Sequence, residues 1–360
     1  MTPSGLLDGI RVLDASIWRP GPYATQLLGD LGAEVCKIEP PGGDPMRAFP
    51  ELFASLNGDK RSVVLDLKDE ADRARARALA NEADVLMEGF RPGVADRLGI
   101  GYDDVRATNP AIVYCSISGY GQDGPLRDVP GHDLNYQAYA GALAPDGGDP
   151  RESALPIGDL AGGTFAALAV CAAIIGRART GEGERVDVSM TDVLATWTGA
   201  ASNRLTGAED RLAGLPTYGT FATADRHFLT LGVITEQHFW EAVCDGLGLG
   251  DLRDVGLFDR INRTDEVRGR VAAAIAARPL DELLVALDGA PAAPALTRAE
   301  MLEHPQLVHR GLVGGTNADG FPRMGYPVLF GTHPARTPGP APEPGEHQDA
   351  GFRARRRPPM

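Results

Sequence analysis

Cysteine is scarce in this chain and never occurs in closely spaced pairs. The 360 residues include four cysteines, and no two of them have C-x-x-C spacing. Cys36, Cys115 and Cys171 lie in apolar surroundings, where a reduced cysteine behaves as a small hydrophobic residue, and Cys244 is isolated. This distribution argues against a disulfide framework and against a zinc site, so the sequence predicts no metal centre.

Basic residues are outnumbered, and long hydrophobic runs are missing. The chain has 35 Lys and Arg against 49 Asp and Glu, a formal net charge of −14, which argues against a nucleic-acid-binding surface. The apolar run that contains Ala166–Ile175 falls far short of the roughly 20 residues that a membrane-spanning helix needs. No basic region precedes an apolar segment at the N-terminus, so no secretory signal is visible. We therefore expect a cytoplasmic protein that binds neither nucleic acid nor membrane.

The common signatures of nucleotide-binding proteins and hydrolases are also absent. No G-x-G-x-x-G, Walker, H-E-x-x-H or G-x-S-x-G motif occurs in a plausible context. Function must therefore be sought in less generic segments of the chain.

The first half of the chain alternates short apolar runs with amphipathic stretches. A hydrophobic fraction of 43% and a charged fraction of 23% are typical of globular domains, and the length accommodates one or two of them. Strands separated by helical segments indicate βαβ units, and hence an α/β fold with a mostly parallel sheet covered by helices. The predicted strands are Ile10–Asp14, Glu34–Ile38, Ser62–Leu67, Val85–Met87, Ala111–Ile117 and Arg185–Ser189. The predicted helices are Tyr23–Leu31, Ala71–Glu82 and Ala161–Arg177.

Two regions depart from this alternation. Residues 121–158 are rich in Gly, Pro and Asp, and a long irregular stretch inside a compact domain is usually functional or disordered. We favour a functional role because the stretch carries Gly-His-Asp-Leu-Asn-Tyr at 131–136. Beyond about residue 216, two strand patterns precede three helical ones, which predicts a smaller α+β domain. These elements are Tyr218–Ala222, His227–Gly232, Glu236–Leu247, Thr264–Ala277 and Leu280–Leu287.

Several segments, in a fixed order along nearly the whole chain, resemble one enzyme superfamily. They lie at 7–14, 21–24, 28–40, 43–47, 60–68, 90–94, 119–125, 158–159, 180–184 and 345–347, and include Phe-Arg-Pro-Gly-Val and Gly-Tyr-Gly-Gln-Asp-Gly-Pro. Through them the chain is similar to the class III CoA-transferase superfamily of CaiB/BaiF type, which includes CoA transferases and α-methylacyl-CoA racemases. The resemblance implies a Rossmann-like large domain and an acyl-CoA thioester substrate. It implies no cofactor other than the coenzyme A that the substrate carries.

The resemblance also implies a domain arrangement and an assembly. It places a large CoA-binding domain at 1–195, to which residues 325–360 return, and a small domain at 216–315. Linkers are expected at 196–215 and 316–324. In this superfamily two chains interlock like links, and the active site lies between the large domain of one chain and the small domain of the other. We therefore expect an interlocked homodimer.

Three short segments resemble the racemases within the superfamily. The segment at 131–136 is similar to their G-H-D-[IL]-N-Y sequence, which gives His132 the role of an acid/base group. The Gly-Asp-Leu-Ala-Gly-Gly segment around Asp159 resembles the place of the second acid/base group, where the transferases keep a nucleophilic Asp. The segment around Glu236 resembles the place of a Glu that pairs with the catalytic His.

The chemistry of racemisation suits these residue types. Racemising a 2-methylacyl thioester removes an α-proton from one face and returns a proton on the other, so two acid/base groups must flank the α-carbon. A histidine and a carboxylate fit because protein environments can bring the pKa values of both groups near the working pH. Glu236 would orient His132. Backbone N–H groups at the start of the helix after Asp159 would stabilise the enolate oxygen. We therefore predict epimerisation at C2 of 2-methylacyl-CoA thioesters by proton transfer between His132 and Asp159.

Other interpretations of the same residues remain open. A CoA transferase would use Asp159 to attack the thioester carbonyl, and CoA would return to give an aspartyl-CoA thioester. A catalytically idle acyl-CoA binder would need neither His132 nor Asp159. Structural roles compete as well: Asp159 as a helix N-cap, Asp133 as a turn former and Glu236 as an acidic residue at a helix start.

Coenzyme A carries phosphate groups, so an acidic protein must supply cations to hold it. The resemblance places Lys37, Lys60, Arg61 and Arg91 at family positions near the CoA cleft. The predicted CoA- and substrate-binding residues are these four together with Tyr136 and Arg19. For each of the four cations Lys37, Lys60, Arg61 and Arg91, a solvated surface position is the competing interpretation, and it is stronger for Lys60 than for Arg91. Arg19 departs from the racemases, which have a small residue before Pro-Gly-Pro. An arginine near the acyl site suits a carboxylate-bearing acyl group or an acid acceptor.

Overall fold

The computed structural model of the chain folds into two compact units. The first comprises residues 1–202 with 305–360, and the second comprises residues 203–304. The residues that the structure describes are 5–143, 149–201, 215–316, 320–337 and 339–353.

A six-stranded parallel sheet forms the centre of the first unit. Its strands are β1 (Arg11–Ala15), β2 (Glu34–Glu39), β3 (Arg61–Val64), β4 (Val85–Glu88), β5 (Val113–Ser118) and β6 (Glu184–Ser189). They lie in the order β3-β2-β1-β4-β5-β6, which is the order of the doubly wound Rossmann fold. The predicted α/β fold with a mostly parallel sheet is confirmed, and each of the six predicted strands overlaps one of these strands.

Helices surround this sheet. They are α1 (Pro20–Asp30), α2 (Pro50–Leu56), α3 (Glu70–Glu82), α4 (Val94–Arg97), α5 (Tyr102–Arg106), α6 (Asp133–Tyr139), α7 (Ile157–Thr180) and α8 (Met190–Ala201), with a short 3-10 helix at Pro45–Ala48. Successive strand residues point to opposite faces, and this alternation divides the core in two. Val12 of β1 lies in the cluster that contains α1 and α7, whereas its neighbour Leu13 lies in the cluster that contains α3.

Helix α7 is long and apolar enough, by length and composition, to cross a membrane. The same composition is typical of a core helix, and one side of α7 is buried in the first core cluster through residues such as Ala166 and Val170. The other side is open, since Leu168 and Ile175 are 61% and 64% exposed. Helix α7 is therefore part of the core on one of its sides.

The crossing of α1 and α7 depends on a glycine. A Cβ atom added to Gly163 of α7 would lie 2.7 Å from the carbonyl oxygen of Pro20 and 2.9 Å from the ring of Tyr23. Both of those residues belong to the first turns of α1. Only a glycine therefore lets the two helices approach this closely.

The second unit is a small α+β fold, as predicted. Its antiparallel strands β7 (Tyr218–Ala222), β8 (Phe228–Gly232) and β9 (Ala292–Pro294) lie in the order β7-β8-β9. Its helices are α9 (Gln237–Leu247), α10 (Leu257–Asn262), α11 (Thr264–Ala276), α12 (Leu280–Ala286) and α13 (Arg298–Glu303), with a 3-10 helix at Gly250–Leu252. The fully buried Trp240 lies in the core that the sheet shares with α9, α11 and α12.

The boundaries of the units differ from the predicted domain boundaries. The remaining elements are α14 (Pro305–His309), β10 (Val313–Thr316) and β11 (Pro322–Met324). The small domain is predicted to include residues 305–315, but these residues belong to the first unit, where α14 packs against β10. The expected linker 316–324 contains β11, which pairs with β10. Residues 196–201 of the other expected linker continue α8, while residues 202–214 and 317–319 lie outside the described residues.

The C-terminal segment 339–353 covers the free edge of β3. The side-chain amide of Gln348 donates to the carbonyl of Val64 and accepts from its N–H, both at 2.8 Å, as a neighbouring strand would. The N–H of His347 adds a bond of 2.9 Å to the carbonyl of Ser62. An uncovered edge strand offers unpaired backbone groups to other chains, and this segment removes that exposure. Residues 338 and 354–360 lie outside the described residues.

We predict that Gly163→Ala lowers the free energy of unfolding by about 1–3 kcal/mol, because the new methyl group must push α1 away from α7. Gly176 of the same helix is the matched control, since a Cβ there meets nothing within 4 Å. Gly176→Ala should raise the free energy of unfolding by about 0.5–1 kcal/mol through helix propensity alone. Urea denaturation followed by circular dichroism measures both. Equal effects of the two substitutions would contradict the close crossing.

Candidate active site

The starts of two helices meet at the carboxyl edge of the sheet. Strand β1 ends at Ala15, and the turn that follows brings Arg19 to the N-cap of α1. Asp159 lies in the first turn of α7, which crosses α1. As a result, Nε of Arg19 lies 3.7 Å from Oδ2 of Asp159, and both side chains are partly open to solvent, at 32% and 19% exposure. The ion pair occupies the place where doubly wound folds bind their ligands.

Asp133 of α6 caps α7 from outside the helix. Its Oδ1 accepts hydrogen bonds from the N–H groups of Gly158 at 2.7 Å and Asp159 at 3.0 Å, while Oδ2 accepts one from Gln137 at 2.5 Å. A Cβ on Gly158 would lie only 2.9 Å from Oδ1, so glycine makes room for the cap. The N-cap residue itself is Pro156, so the interpretation of Asp159 as an N-cap is wrong. The Asp159 carboxylate therefore does not cap the helix and instead faces Arg19.

The backbone N–H groups at the start of α7 are occupied. Those of Gly158 and Asp159 donate to Asp133, and that of Leu160 donates to the carbonyl of Pro156 at 3.1 Å. The expectation that these groups stabilise an enolate oxygen is therefore wrong, because a carboxylate of the protein itself already accepts their hydrogen bonds.

Burial and two charged neighbours set the charge state of Asp159. Burial raises the pKa of its carboxyl group to about 6, the nearby carboxylate of Asp133 raises it as well, and the Arg19 guanidinium acts in the opposite direction. The group is therefore ionised at neutral pH while remaining more basic than an ordinary aspartate. Both properties are useful in a nucleophile and in a general base.

His132 lies beside this cap. It is exposed, it directly precedes α6, and its N–H donates to Oδ1 of Asn135 at 3.0 Å. Among the described residues no ion pair joins it to Asp159, although its neighbour Asp133 contacts the backbone of Asp159. The acid/base role of His132 therefore stays a prediction.

Glu236 belongs to the second unit, where it is the N-cap residue of α9. Its Oε2 accepts the N–H groups of Ile234 at 3.2 Å and Thr235 at 3.0 Å. Hydrogen bonds from the backbone of this turn, its own N–H first, lower the pKa of Glu236. The carboxylate thus binds the backbone of the turn before its helix, and its pairing with His132 stays a prediction.

Two of the predicted CoA-binding cations are buried inside the protein. The ammonium group of Lys60 lies 3.1 Å from Oδ2 of Asp14, and that of Lys37 lies 2.8 Å from Oδ2 of Asp44 and 2.6 Å from the carbonyl oxygen of Ser16. Since Lys60 is only 3% exposed, the solvated surface position considered for it is wrong. Both lysines bind protein oxygens beneath the turn that carries Arg19, and their contact with CoA stays a prediction.

Arg61 lies at the opposite edge of the sheet from Arg19, since it is the first residue of β3. Its guanidinium donates to the carbonyl of Gly351 and lies 3.9 Å from Glu34, so it fastens the C-terminal segment. It also lines a cavity of about 180 Å³ with Arg336. The structure therefore does not bring Arg61 together with Asp159.

Arg91 and Tyr136 lie on the side of Asp159. Arg91 is exposed and follows β4 at the carboxyl edge. Tyr136 is buried, and its hydroxyl donates to the carbonyl of Gly131 at 2.5 Å. Burial raises the pKa of Tyr136 to about 12, with a further rise from Asp159 and an opposing effect of Arg91. The phenol therefore stays protonated at neutral pH and fastens the start of the segment 131–136.

Two residues of the site were missed by the sequence analysis. Asp133 was interpreted as a turn former, and its capping role has no local signal because Gly158 lies 25 residues further along the chain. Glu88, a buried carboxyl group at the end of β4, was not singled out at all. Within the described ranges, no group of three or more His, Cys, Asp or Glu is arranged to hold a metal ion.

Comparisons with known proteins agree with this architecture. The family model of CoA-transferase family III matches residues 7–348. An acetyl-CoA:oxalate CoA-transferase from Acetobacter aceti is 35% identical over 351 residues, which are 89% of this chain and 89% of that protein. An alpha-methylacyl-CoA racemase from Homo sapiens is 33% identical and covers 91% of this chain and 87% of its own length.

The fold is shared with solved structures as well. A CAIB/BAIF family protein from Brucella suis superposes with a TM-score of 0.87 at 28% identity, over 96% of this chain and 98% of that chain. With a sequence match along nearly its whole length and this shared fold, the chain belongs to CoA-transferase family III and is an enzyme of that family.

Proposed function

We propose that the protein is a CoA transferase that moves CoA between carboxylic acids, with Asp159 as the nucleophile and Arg19 as the cation that binds acid substrates. The ion pair between these two side chains at the start of α7 carries the proposal. The proposed reaction draws on no bound cofactor, because coenzyme A arrives on the substrate.

The environment of Asp159 fits covalent catalysis. The ionised carboxylate attacks the thioester carbonyl, which releases the CoA thiolate and forms a mixed anhydride. The thiolate then attacks the aspartyl carbonyl and releases the first acid, which leaves an aspartyl-CoA thioester. The acceptor carboxylate attacks that thioester in turn. The CoA thiolate it releases takes the new acyl group and restores Asp159.

Arg19 becomes available to bind a substrate carboxylate at the step where Asp159 loses its charge. In the resting protein the guanidinium faces the Asp159 carboxylate through Nε at 3.7 Å, and the part of the chain that the structure describes gives Arg19 no other ion pair. Acylation of Asp159 neutralises that carboxylate and leaves the guanidinium available for a substrate carboxylate. A dicarboxylic acid fits this arrangement because it has a second carboxylate to offer. The relative from Acetobacter aceti is named for oxalate, which is such an acid.

Epimerisation of 2-methylacyl-CoA thioesters is the second candidate. Its support is the position of His132 directly before Asp133, whose carboxylate contacts the backbone of Asp159, and the similarity to a racemase. Proton transfer between His132 and Asp159 across the α-carbon, with Glu236 as the partner of His132, is the mechanism this candidate requires. An interlocked homodimer, which would bring Glu236 of a second copy to this edge, belongs to either candidate.

We expect Asp159→Asn to reduce CoA transfer by at least about 10³-fold, because it removes the nucleophile. His132→Ala should retain most of the transfer. The assay supplies acetyl-CoA or succinyl-CoA with a panel of mono- and dicarboxylic acceptors, and intact-mass analysis detects CoA bound to the peptide that contains Asp159. In parallel, deuterium incorporation at C2 of both 2-methylacyl-CoA epimers is followed in deuterated water. Deuterium entry that His132→Ala abolishes, without any CoA adduct, would establish the racemase instead.

Arg19→Gln tests the binding of acid substrates. We expect kcat/KM for a dicarboxylic acceptor to fall by roughly 100-fold, as for the loss of a charged hydrogen-bonding partner, with a much smaller change for a monocarboxylic acceptor. Arg19→Lys keeps the charge and should recover part of the loss. A uniform decrease for all acceptors would contradict recognition of a second carboxylate.

The pH dependence of kcat/KM tests the charge state of Asp159. Because the nucleophile must be ionised and its pKa is raised to about 6, activity should fall as the pH drops through about 6. Asp133→Asn removes a charge that raises this pKa, so the acidic limb should move to lower pH. Arg19→Gln removes the opposing charge and should move the limb to higher pH. Profiles that coincide in all three proteins would show that another group controls the limb.

A further inference from the structure

The carboxyl edge of the sheet contains a buried acid that the proposed reaction does not use. Glu88 is the last residue of β4, is only 3% exposed, and stands in register with Ala15 of β1 and Ser116 of β5. Its Oε2 accepts the N–H of Phe90 at 2.7 Å, and its side chain also forms a hydrogen bond with Ser116. Two neutral groups thus hold this carboxyl group.

The charges around Glu88 are unfavourable to its ionised form. Among the described residues no lysine or arginine forms an ion pair with it. The titratable groups that interact electrostatically with it are Asp96 on α4, Asp187 on β6, and Tyr114 and Cys115 on β5. Burial first, and then the two aspartates, raise the pKa of Glu88 to about 7. Glu88 therefore gains and loses its proton near neutral pH.

The loop after Glu88 leads to the candidate active site. Residues 89–93 connect β4 to α4, and their fixed points are the Phe90 N–H on Glu88 and the carbonyl of Arg91, which accepts the N–H of Val94 at 3.0 Å. Arg91 is exposed between these points. Its charge acts on the same phenol, that of Tyr136, as the charge of Asp159 does. The position of this loop therefore decides where Arg91 points.

We propose that Glu88 is a positioning residue whose carboxylate, by accepting the Phe90 N–H, holds the loop 89–93 so that Arg91 faces the anionic part of the CoA thioester. The CoA partner in this statement rests on the proposed function, whereas the contact between Glu88 and the loop does not. A carboxylate accepts the Phe90 N–H more strongly than a neutral carboxyl group. Protonation of Glu88 as the pH falls through about 7 therefore loosens the loop and weakens CoA binding, separately from the titration of Asp159.

Hydrogen exchange tests the loop independently of any activity. We expect protection of the amides in 89–94, corrected for intrinsic exchange, to fall by roughly fivefold between pH 8 and pH 6, as for the loss of one charged hydrogen bond. Glu88→Gln keeps a neutral acceptor and should give the low-protection value at both pH values. Glu88→Ala removes the acceptor and should protect the loop still less. Identical pH profiles for the natural protein and Glu88→Gln would overturn the proposal.

Binding of free CoA, measured by calorimetry, tests the consequence for the site. The natural protein should bind CoA roughly fivefold more weakly at pH 6 than at pH 8, after subtraction of the pH dependence that Glu88→Gln retains. The subtraction matters because Asp159 and the phosphates of CoA titrate in the same range, and the Gln variant retains their effects. A pH dependence that survives unchanged in Glu88→Gln would overturn the role in binding.

Asp96→Asn is the matched control for the origin of the effect. It removes one of the charges that raise the pKa of Glu88, so the midpoint of the loop transition should move to lower pH. If CoA fails to bind at any pH, the proposed function is wrong, while the exchange profiles still decide the role of Glu88.

Discussion

The buried carboxylate of Asp14 is the interaction on which the carboxyl edge of this protein depends. It is fully buried at the end of β1, and it accepts bonds from Lys60 at 3.1 Å, the hydroxyl of Thr25 at 2.7 Å and the backbone and hydroxyl of Ser16. Burial acts to raise the pKa of Asp14, but the ammonium groups of Lys60 and Lys37 hold this pKa well below its usual range. Such a group tolerates burial only with all of its partners present, so it fixes the turn after β1.

The geometry of the site follows from that turn. Ser16 is held by Asp14 on one side, and α1 begins at Pro20 on the other. Between them Trp18 has a φ of +63° and is 46% exposed, a conformation that bulky residues adopt only where the surroundings impose it. The turn delivers Arg19 to the start of α1, and the glycine at the crossing with α7 brings Asp159 within reach. A strained, solvent-facing segment on a rigid base is typical of a substrate-contacting element.

Three carboxyl groups at this edge have been given different acidities by their surroundings. Asp14, with two ammonium neighbours, is a strong acid; Asp159, with one guanidinium and one carboxylate nearby, has its pKa raised to about 6. Glu88, with carboxylates and no cation among its described neighbours, has its pKa raised to about 7. The first is a fixed structural charge, the second suits chemistry near neutral pH, and the third can respond to pH. Environment alone assigns these roles, as it does in other acid–base sites.

The sequence alone determined the sheet and the order of its strands along the chain. Apolar runs of four to seven residues are local signals, and strands such as Val85–Glu88 could be predicted because both faces of a parallel sheet are buried. Helices α6 and α8 were missed because glycine-rich or mixed sequences around them hide the helical period. Asp159 and Arg19 were named through family resemblance, before any contact between them was known.

Only the tertiary structure decided what the charged residues do. Lys60 lies 46 residues from Asp14 along the chain, and a lysine expected to meet CoA or solvent became the buried partner of a carboxylate. Asp133 became the cap of a helix that starts 24 residues later, and the Glu236 carboxylate accepts hydrogen bonds from the turn before its own helix in the second unit. Periodic patterns report which face of an element is buried. The pairing of charges depends on which strand ends and helix starts the fold brings side by side, and no local pattern contains that information.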